Sequence, residues 1–141
     1  MNVYTDGSYM RKKDRILCGY GVYFEDGREI SKRFTKRPIT NNRAELYAIY
    51  KAIKTVKDEN QNINIYSDSE YSVKIFNEWL KKWKKNNKNY MNADIIDKIQ
   101  NLLDTINFKV NFIHINSHTN KKDIHSLNNE KADKLAKFFT S

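Results

Sequence analysis

The stretch at residues 63–69, INIYSDS, determines the architecture of the chain. Its apolar first part leads directly into a carboxylate and a serine. Residues 63–67 predict a short buried strand. Helical patterns flank it: one opens at Asn42 and ends near Lys57, and the next begins around Ser69. A buried strand between helical crossovers predicts a sheet whose faces are covered by helices.

The remaining elements complete a five-stranded sheet. In chain order, the predicted elements are strands at residues 2–6, 18–24 and 28–35, a helix from Asn42, the strand at 63–67, helices from Ser69 and at 93–105, a strand at 108–115, a polar loop at 116–127 and a final helix. Residues 7–15 are polar and basic, which fits a loop or a strand extension. The first, fourth and fifth strands are predicted to be parallel in an α/β mixed sheet. Because the length supports one core, we expect one domain over residues 1–141.

Four carboxylates lie where the predicted strands and helices meet, and together they indicate a metal-dependent nuclease. They are Asp6, Glu45, Asp68 and Asp133. Asp6 and Asp68 follow parallel strands, whose carboxyl ends form the edge at which such sheets bind ligands. Mg²⁺ prefers oxygen ligands, and two such ions about 3.5–4 Å apart provide what phosphodiester hydrolysis needs. The sequence has no Cys/His cluster of the kind that zinc favours.

Each carboxylate also has a local structural alternative. Asp6 could be an ordinary turn residue, and Glu45 lies three residues after Asn42, as in a capping box. Asp68 could cap the helix that follows it. Asp133 lies in the first turns of the predicted last helix, where an acid interacts favourably with the helix dipole. We favour the metal-site interpretation, because all four alternatives would otherwise have to hold together.

The chain is strongly basic, with 26 Lys and Arg against 17 Asp and Glu and a formal net charge of +9. Basic chains tend to bind polyanions, most often nucleic acid, and a solubilising surface is the alternative. The abundance of Lys and Asn also fits an AT-rich coding genome, which weakens the argument from net charge.

Residues 81–89 form a basic stretch that contains no acidic residue. Trp79 and Trp83 are four residues apart and would share one helical face, and cations beside a flat aromatic edge suit a nucleic-acid backbone. The lysines of this stretch are Lys81, Lys82, Lys84, Lys85 and Lys88. The alternative is a solvated helix whose tryptophans pack into the core.

Four sequence blocks resemble the signature blocks of type 1 ribonuclease H, in the order and at about the spacing of that family. They are residues 4–8 (YTDGS), 40–46 (TNNRAEL), 66–69 (YSDS) and 129–133 (NEKAD). The resemblance covers nearly the whole chain. It implies the ribonuclease H fold, with sheet order 3-2-1-4-5 and helices on both faces. It also implies endonucleolytic cleavage of the RNA strand of RNA/DNA hybrids, which leaves 3′-hydroxyl and 5′-phosphate ends.

The same resemblance implies a role for each acid with two Mg²⁺ ions, for which Mn²⁺ is a substitute. Asp6 is expected to bridge both ions, and Asp133 to join it at the ion that activates water. Glu45 and Asp68 are expected at the ion that faces the leaving oxygen. His118 matches the histidine of the family's mobile loop, which acts in proton transfer or product release, and an imidazole titrates near neutral pH.

The resemblance also assigns the contacts with the hybrid. Thr40 is expected to grip a phosphate of the DNA strand. Asn41, Asn42 and Glu45 are expected to read the 2′-hydroxyl that distinguishes RNA from DNA. A plain turn and helix cap is the alternative for residues 40–42. The stretch at 81–89 resembles the basic handle of many type 1 enzymes and favours an enzyme that needs no separate binding domain.

Three departures from the family pattern affect the expected contacts. Glu70 stands where the family often has glutamine, and its charge opposes a nucleic-acid contact. The loop at residues 118–129 is longer than in bacterial enzymes, and Asn116 and Ser117 replace the usual lead into the histidine. His125 lies in the same predicted loop as His118 and is a rival for its role. His114, within a strand pattern, is interpreted as structural.

Two other functions remain as alternatives: a nuclease of the same fold that cuts DNA junctions or other DNA, and a non-catalytic nucleic-acid-binding module. We expect a monomer, because no interface signal stands out in the sequence. We expect no membrane span, because no apolar run approaches about 18 residues. The single cysteine, Cys18, is expected to be a small buried hydrophobe. We expect an intracellular, cytoplasmic protein and leave a nuclear or organellar location open.

Overall fold

A computed structural model describes residues 1–117 and 122–140, and within them the chain forms one mixed sheet of five strands. The strands are β1 (Asn2–Lys12), β2 (Arg15–Phe24), β3 (Glu29–Arg33), β4 (Ile63–Ser67) and β5 (Val110–His114). Their order across the sheet is β3-β2-β1-β4-β5. β1, β4 and β5 are parallel, and β2 is antiparallel to both of its neighbours. The predicted sheet order and the three parallel strands are thereby confirmed.

The helices cover both faces of this sheet. They are α1 (Asn41–Val56), α2 (Glu70–Lys74), a π-helical turn (Ile75–Trp79), α3 (Leu80–Lys85), α4 (Ala93–Thr105) and α5 (Ile124–Lys137). α1 packs on β1, β2 and α4, while α5 packs on β1, β2 and β3. In the described part of the chain, no helix has the length and apolarity needed to cross a membrane.

Alternate side chains of β1 and β4 separate the two faces of the sheet. Val3 and Ile65 belong to the large apolar cluster formed with α1 and α4. Tyr4 and Tyr66 lie on the opposite face and pack with Ala132 of α5. The α1 side therefore holds the main core, since most of the buried apolar side chains lie in this cluster. Each fully buried aliphatic side chain contributes about 1.5–3 kcal/mol to stability.

The hairpin of β1 and β2 is longer than the predicted strands. Residues 7–12 continue β1 and pair with β2, which begins at Arg15, so the strand extension and not the loop is observed. The charged side chains at 11–15 have the composition of a loop, but a hairpin ladder requires only backbone groups. β3 and β5 are each shorter at both ends than the predicted ranges.

The last helix begins earlier than predicted, and the polar loop at 116–127 is correspondingly too long. α5 starts at Ile124, and Asp123 caps it by accepting a hydrogen bond from the Ser126 backbone N–H at 2.9 Å. Apolar periodicity missed this start because the first turns of α5 are mostly polar. The helix that begins after Ser69 also runs on through the π-helical turn to Lys85, so the first half of the basic stretch is helical.

Two glycines let α5 lie directly on β2. A Cβ added to Gly21 would lie 2.6 Å from the carbonyl oxygen of Ala132, and one added to Gly19 would lie 2.5 Å from that of Ala136. The backbone of α5 between these contacts carries Asp133. The two glycines therefore set how closely the fourth acid approaches the sheet.

Gly21→Ala should destabilise the fold, because its new methyl group would overlap the α5 backbone. We expect the free energy of unfolding to fall by about 1–3 kcal/mol, as for other overpacked sites, measured by chemical denaturation. Gly27→Ala is the control: nothing lies within 4 Å of its added Cβ, and only its φ of 98° is unfavourable. A smaller loss at Gly21 than at Gly27 would contradict the close packing of α5 on β2.

Candidate active site

Asp6 and Asp68 meet at the carboxyl ends of two neighbouring parallel strands. The pairing of β1 with β4 ends at Thr5 and Ser67, and the two acids are the next residues along. Thr5 and Ser67 are fully buried, and Asp6 is only 3% exposed. The sheet topology therefore brings together two acids that are distant in the sequence.

Glu45 comes from the second turn of α1, and three contacts fix that end of the helix. Thr40 caps α1 by accepting a hydrogen bond from the Arg43 backbone N–H at 3.1 Å. The buried Arg43 guanidinium donates to both carboxylate oxygens of Asp94 at 2.8 Å, which ties α1 to the first turn of α4. A Cβ added to Gly7 would lie 2.7 Å from the backbone nitrogen of Glu45, so α1 rests directly on β1.

Two of the local alternatives for the carboxylates are wrong. Thr40 and not Asn42 caps α1, so Glu45 is not the partner of a capping box. Ser69 and not Asp68 caps α2, since the serine hydroxyl accepts a first-turn backbone N–H at 3.2 Å. Helix capping therefore explains neither carboxylate.

Asp6, Glu45 and Asp68 form a three-carboxylate group, in which one oxygen from each lies within 4.8 Å of the others. Burial raises the pKa of Asp6, and the charges of Glu45 and Asp68 raise it further. Burial likewise raises the pKa of Glu45, although a hydrogen bond with Asp6 opposes that rise. Protons are held here because three negative charges would otherwise be confined with little water.

The three-carboxylate group fits a divalent cation. Within the described residues, Glu45 Oε2 is buried without a hydrogen-bond partner. Such an orphaned oxygen is unfavourable unless a positive charge or a donor satisfies it. Mg²⁺ takes oxygen ligands and needs only a few carboxylates, so the donor set suits it.

The fourth acid, Asp133, approaches this group from α5. It lies well inside the helix and not in its first turns, so the helix-dipole interpretation is wrong. A side-chain hydrogen bond with Asp133 contributes to the raised pKa of Asp6. The Lys137 ammonium lies 3.0 Å from the Asp133 carboxylate, whose side chain is 21% exposed. Asp133 thus borders the three-carboxylate group from its more exposed side.

The three histidines have different surroundings. His118 lies outside the described residues. His125 is in the first turn of α5 and not in a loop; its Nδ1 is 2.7 Å from the Tyr4 hydroxyl, and its ring stacks on Tyr66 at 4.4 Å. These contacts anchor the start of α5 to the sheet. His114 is exposed in β5, so burial does not explain it.

The segment expected to contact the hybrid lies at the start of α1. Thr40 does form the helix cap of the structural alternative, while the side chains of Asn41 and Asn42 are exposed. Both asparagines precede Glu45 by about one helical turn. Glu70, whose charge opposed a nucleic-acid contact, is ion-paired with Lys74 at 2.8 Å.

The basic stretch divides into an exposed and a packed part. Trp79 and Trp83 are half-buried against the main core, with ring centroids 6.0 Å apart, and Trp83 stacks on Tyr90 at 5.3 Å. The predicted proximity of the two tryptophans is thus present, and both rings also pack on the core. The lysines on the surface are Lys81, Lys82, Lys84, Lys85 and Lys88.

Arg43 is a site residue to which the sequence analysis gave no role. It is 2% exposed and positions the start of α1 through Asp94. The signal was present: an arginine lies three residues before Leu46 on the apolar stripe of an amphipathic helix. A charged residue at such a position needs a partner of opposite charge, but the sequence does not reveal which acid supplies it.

Comparisons with known proteins agree with this architecture. Residues 1–140 match the family model described as RNase H. A ribonuclease H of Schizosaccharomyces pombe is 35% identical over 144 aligned residues, with 96% of this chain and 51% of the relative covered. One of Clostridium botulinum is 34% identical over 145 aligned residues, with 95% and 91% covered. The chain therefore spans about half of the first relative and most of the second.

Solved structures show the same fold. The solution structure of the PFV RNase H domain matches with a TM-score of 0.79 at 24% identity, over 96% of this chain and 90% of that one. The five-stranded sheet with helices on both faces is thus shared with this viral domain.

Asp6→Asn should stabilise the metal-free protein, because it removes one buried acid from the three-carboxylate group. A carboxyl whose pKa is raised on folding contributes stability at low pH that is lost as the pH rises above about 4. We therefore expect the variant to raise the free energy of unfolding by about 1–3 kcal/mol at neutral pH. Chemical denaturation in EDTA from pH 4 to pH 8 measures both the gain and the pH dependence.

Mg²⁺ should stabilise the wild type more than the Asp6→Asn variant when EDTA is left out. It should raise the melting temperature of the wild type, more at pH 8 than at pH 6, since binding displaces protons. Asp6→Asn should lose most of this gain. The control is Asp58→Asn, whose side chain is 88% exposed and which should change neither quantity. Equal stabilisation of all three proteins by Mg²⁺ would rule out the three-carboxylate group as the binding site.

Proposed function

The chain belongs to the ribonuclease H family, and we propose that it hydrolyses the RNA strand of RNA/DNA hybrids as an endonuclease. The three-carboxylate group carries this proposal, because it gathers two buried acids from β1 and α1 and a partly exposed one from the end of β4 at one edge of the sheet. Helix capping does not explain Glu45 or Asp68, because Thr40 and Ser69 cap the two helices. A site that confines acids in this way is suited to bind phosphate through cations.

We assign the cations to Mg²⁺, with Mn²⁺ as a substitute. Asp6, Glu45 and Asp68 would hold one ion, and Asp133 with Asp6 would hold a second. Two bound ions would supply an activated water and stabilisation of the leaving oxygen, with 3′-hydroxyl and 5′-phosphate products. The protein's own part is to fix the four acids and to exclude water from Asp6 and Glu45, which are 3% and 4% exposed.

Recognition of the hybrid is assigned to two surfaces. Asn41 and Asn42 are exposed at the start of α1, where their amides can donate to and accept from a 2′-hydroxyl. Thr40 retains a hydroxyl proton that can reach a phosphate while its oxygen caps the helix. The exposed lysines of residues 81–88 are suited to sequence-independent contacts with the backbone.

We assign proton transfer or product release to His118 and not to His125. His125 is held between Tyr4 and Tyr66, and these contacts give it a structural task. His118 belongs to the segment that leads from β5 towards α5. An imidazole with a pKa near neutrality can donate and accept protons at physiological pH.

Asp6→Asn and Asp68→Asn should each reduce cleavage of a labelled RNA/DNA hybrid by at least about 10³-fold, which is about 4 kcal/mol of transition-state stabilisation. Hybrid binding and the fold should persist, because each change preserves the side-chain shape. The measurement follows cleavage with Mg²⁺ and with EDTA, and Asp104→Asn, an exposed acid on α4, is the matched control. Wild-type rates in either site variant would reject the proposed site.

The substrate panel separates the proposal from its rivals. Double-stranded RNA, double-stranded DNA and a DNA four-way junction are tested beside the hybrid. Cutting of the junction but not of the hybrid would establish a DNA nuclease. Binding of the hybrid without any Mg²⁺-dependent cleavage would establish a binding module.

His118→Ala should impair catalysis, whereas His125→Ala should impair stability. His118→Ala should lower kcat by about 10–100-fold without changing the melting temperature, since general acid–base groups contribute on this scale or above. His125→Ala should lower the melting temperature, because it removes the hydrogen bond to Tyr4 and the stack on Tyr66. Thermal melts and steady-state kinetics on the hybrid compare them. The reverse pattern would give the catalytic role to His125.

A further inference from the structure

The hairpin of β1 and β2 projects beyond the rest of the sheet. β4 pairs with β1 only as far as Thr5, and β3 pairs with β2 only as far as Gly19. The β1–β2 ladder nevertheless continues to the pair Lys12–Arg15. Residues 9–17 therefore form a two-stranded extension, here called the ribbon, at the same edge of the sheet as Asp6.

The ribbon concentrates positive charge. Arg11, Lys12, Lys13 and Arg15 are all exposed, and Asp14 is the one acid among them. Within the described residues, no salt bridge is formed by any of these four cations. Lys12 and Arg15 are directly opposite each other across the ladder, and like charges in that position destabilise a hairpin. The fold thus maintains a repulsive pair that a bound polyanion would relieve.

The ribbon also adjoins the proposed hybrid contact. Asp14 and Ile16 line an open cavity of about 670 Å³ together with the segment before α1. That segment supplies Arg37, Pro38 and Ile39 to the cavity and leads directly into Thr40. The ribbon, this segment and the start of α1 are therefore neighbouring parts of one surface.

We propose that the ribbon is a second nucleic-acid-binding surface, which contacts backbone phosphates beyond the cleavage site. This inference rests on the proposed function, because a duplex must lie at the three-carboxylate group for the ribbon to meet it. The six steps along the strand from Asp6 to Lys12 span about 20 Å at the rise of a β-strand. Successive nucleotides of a strand advance about 3.4 Å along the helix axis of B-form DNA, so a ribbon that runs along this axis reaches roughly six nucleotides from the scissile phosphate.

The contact is to phosphates and not to base edges. A hybrid with A-form character has a deep, narrow major groove that side chains cannot read. Arginine and lysine bind backbone phosphates without regard to sequence, and they release counterions when they do so. The ribbon therefore contributes affinity and a salt dependence, while chemistry stays with the carboxylates.

Two matched triple variants test the ribbon. The first is Arg11→Gln, Lys12→Gln and Arg15→Gln. The control is Lys54→Gln, Lys57→Gln and Lys109→Gln, which removes the same charge from exposed positions near the amino ends of β4 and β5. Melting temperatures confirm that both proteins fold. Binding of a 20-base-pair hybrid in Ca²⁺ is then measured across a range of salt, and cleavage in Mg²⁺ is measured beside it.

The ribbon triple should weaken hybrid binding about tenfold or more at 50 mM salt. Its plot of log affinity against log salt should be shallower by about 2–3, since each phosphate contact contributes close to one unit of slope. The control triple should change the affinity less than about twofold. At saturating hybrid, kcat of the ribbon triple should match the wild type. On a hybrid that extends fewer than about four base pairs past the cleavage site, the ribbon triple and the wild type should converge, given the reach of the ribbon.

If the two triple variants bind the hybrid with equal affinity and equal salt dependence, the proposal is overturned. The ribbon would then be a candidate site for another polyanion, such as an acidic protein. This failure differs from failure of the proposed function. If wild-type protein cleaves the hybrid and the ribbon has no effect, only the ribbon proposal falls. If the ribbon triple loses binding but no protein cleaves, the ribbon proposal holds for nucleic-acid binding and the assigned hydrolysis falls.

Discussion

Three carboxylates, those of Asp6, Glu45 and Asp68, are confined with ligand oxygens within 4.8 Å of one another, and their mutual repulsion is the main unfavourable interaction of this structure. Buried like charges raise each other's pKa and oppose folding, so stability has to come from elsewhere. The main core between the sheet and α1 provides it, and the ion pair of the buried Arg43 with the exposed Asp94 ties the start of α1 to α4. A cation would turn this unfavourable arrangement into a binding site.

The opposite face of the sheet shows how the strands are kept in register for this purpose. Along β1, every second side chain faces α5, and the same holds along β4. An amide ladder joins Asn2, Asn64 and Asn111 by hydrogen bonds of 3.0 Å. One step further along, Tyr4 stacks on Tyr66 at 5.0 Å. Two residues after each tyrosine comes an acid, Asp6 in β1 and Asp68 just past the end of β4. Because a one-residue slip would move every side chain to the other face, these pairs fix the level at which the acids meet.

The sequence predicted what depends on local pattern and on strand direction. The bounds of β4 and α4 follow from apolar runs, and the meeting of Asp6 with Asp68 follows from parallel topology. It did not predict the extended hairpin or the start of α5, because charged and polar residues there carry no apolar period. The partner of Arg43 also could not be predicted, because Asp94 is brought to it only by the packing of α4 on α1.

The distribution of charge explains why a chain of net charge +9 still needs cations at its acidic centre. At physiological ionic strength, exposed charges are screened beyond about 8 Å. The ribbon cations lie up to about 20 Å along β1 from Asp6, at the rise of a β-strand, so they do little for the buried carboxylates. Lys137 lies beside the site and pairs with Asp133. The outer lysines can attract a polyanion, but only charge placed between phosphate and carboxylate lets that polyanion reach the acids.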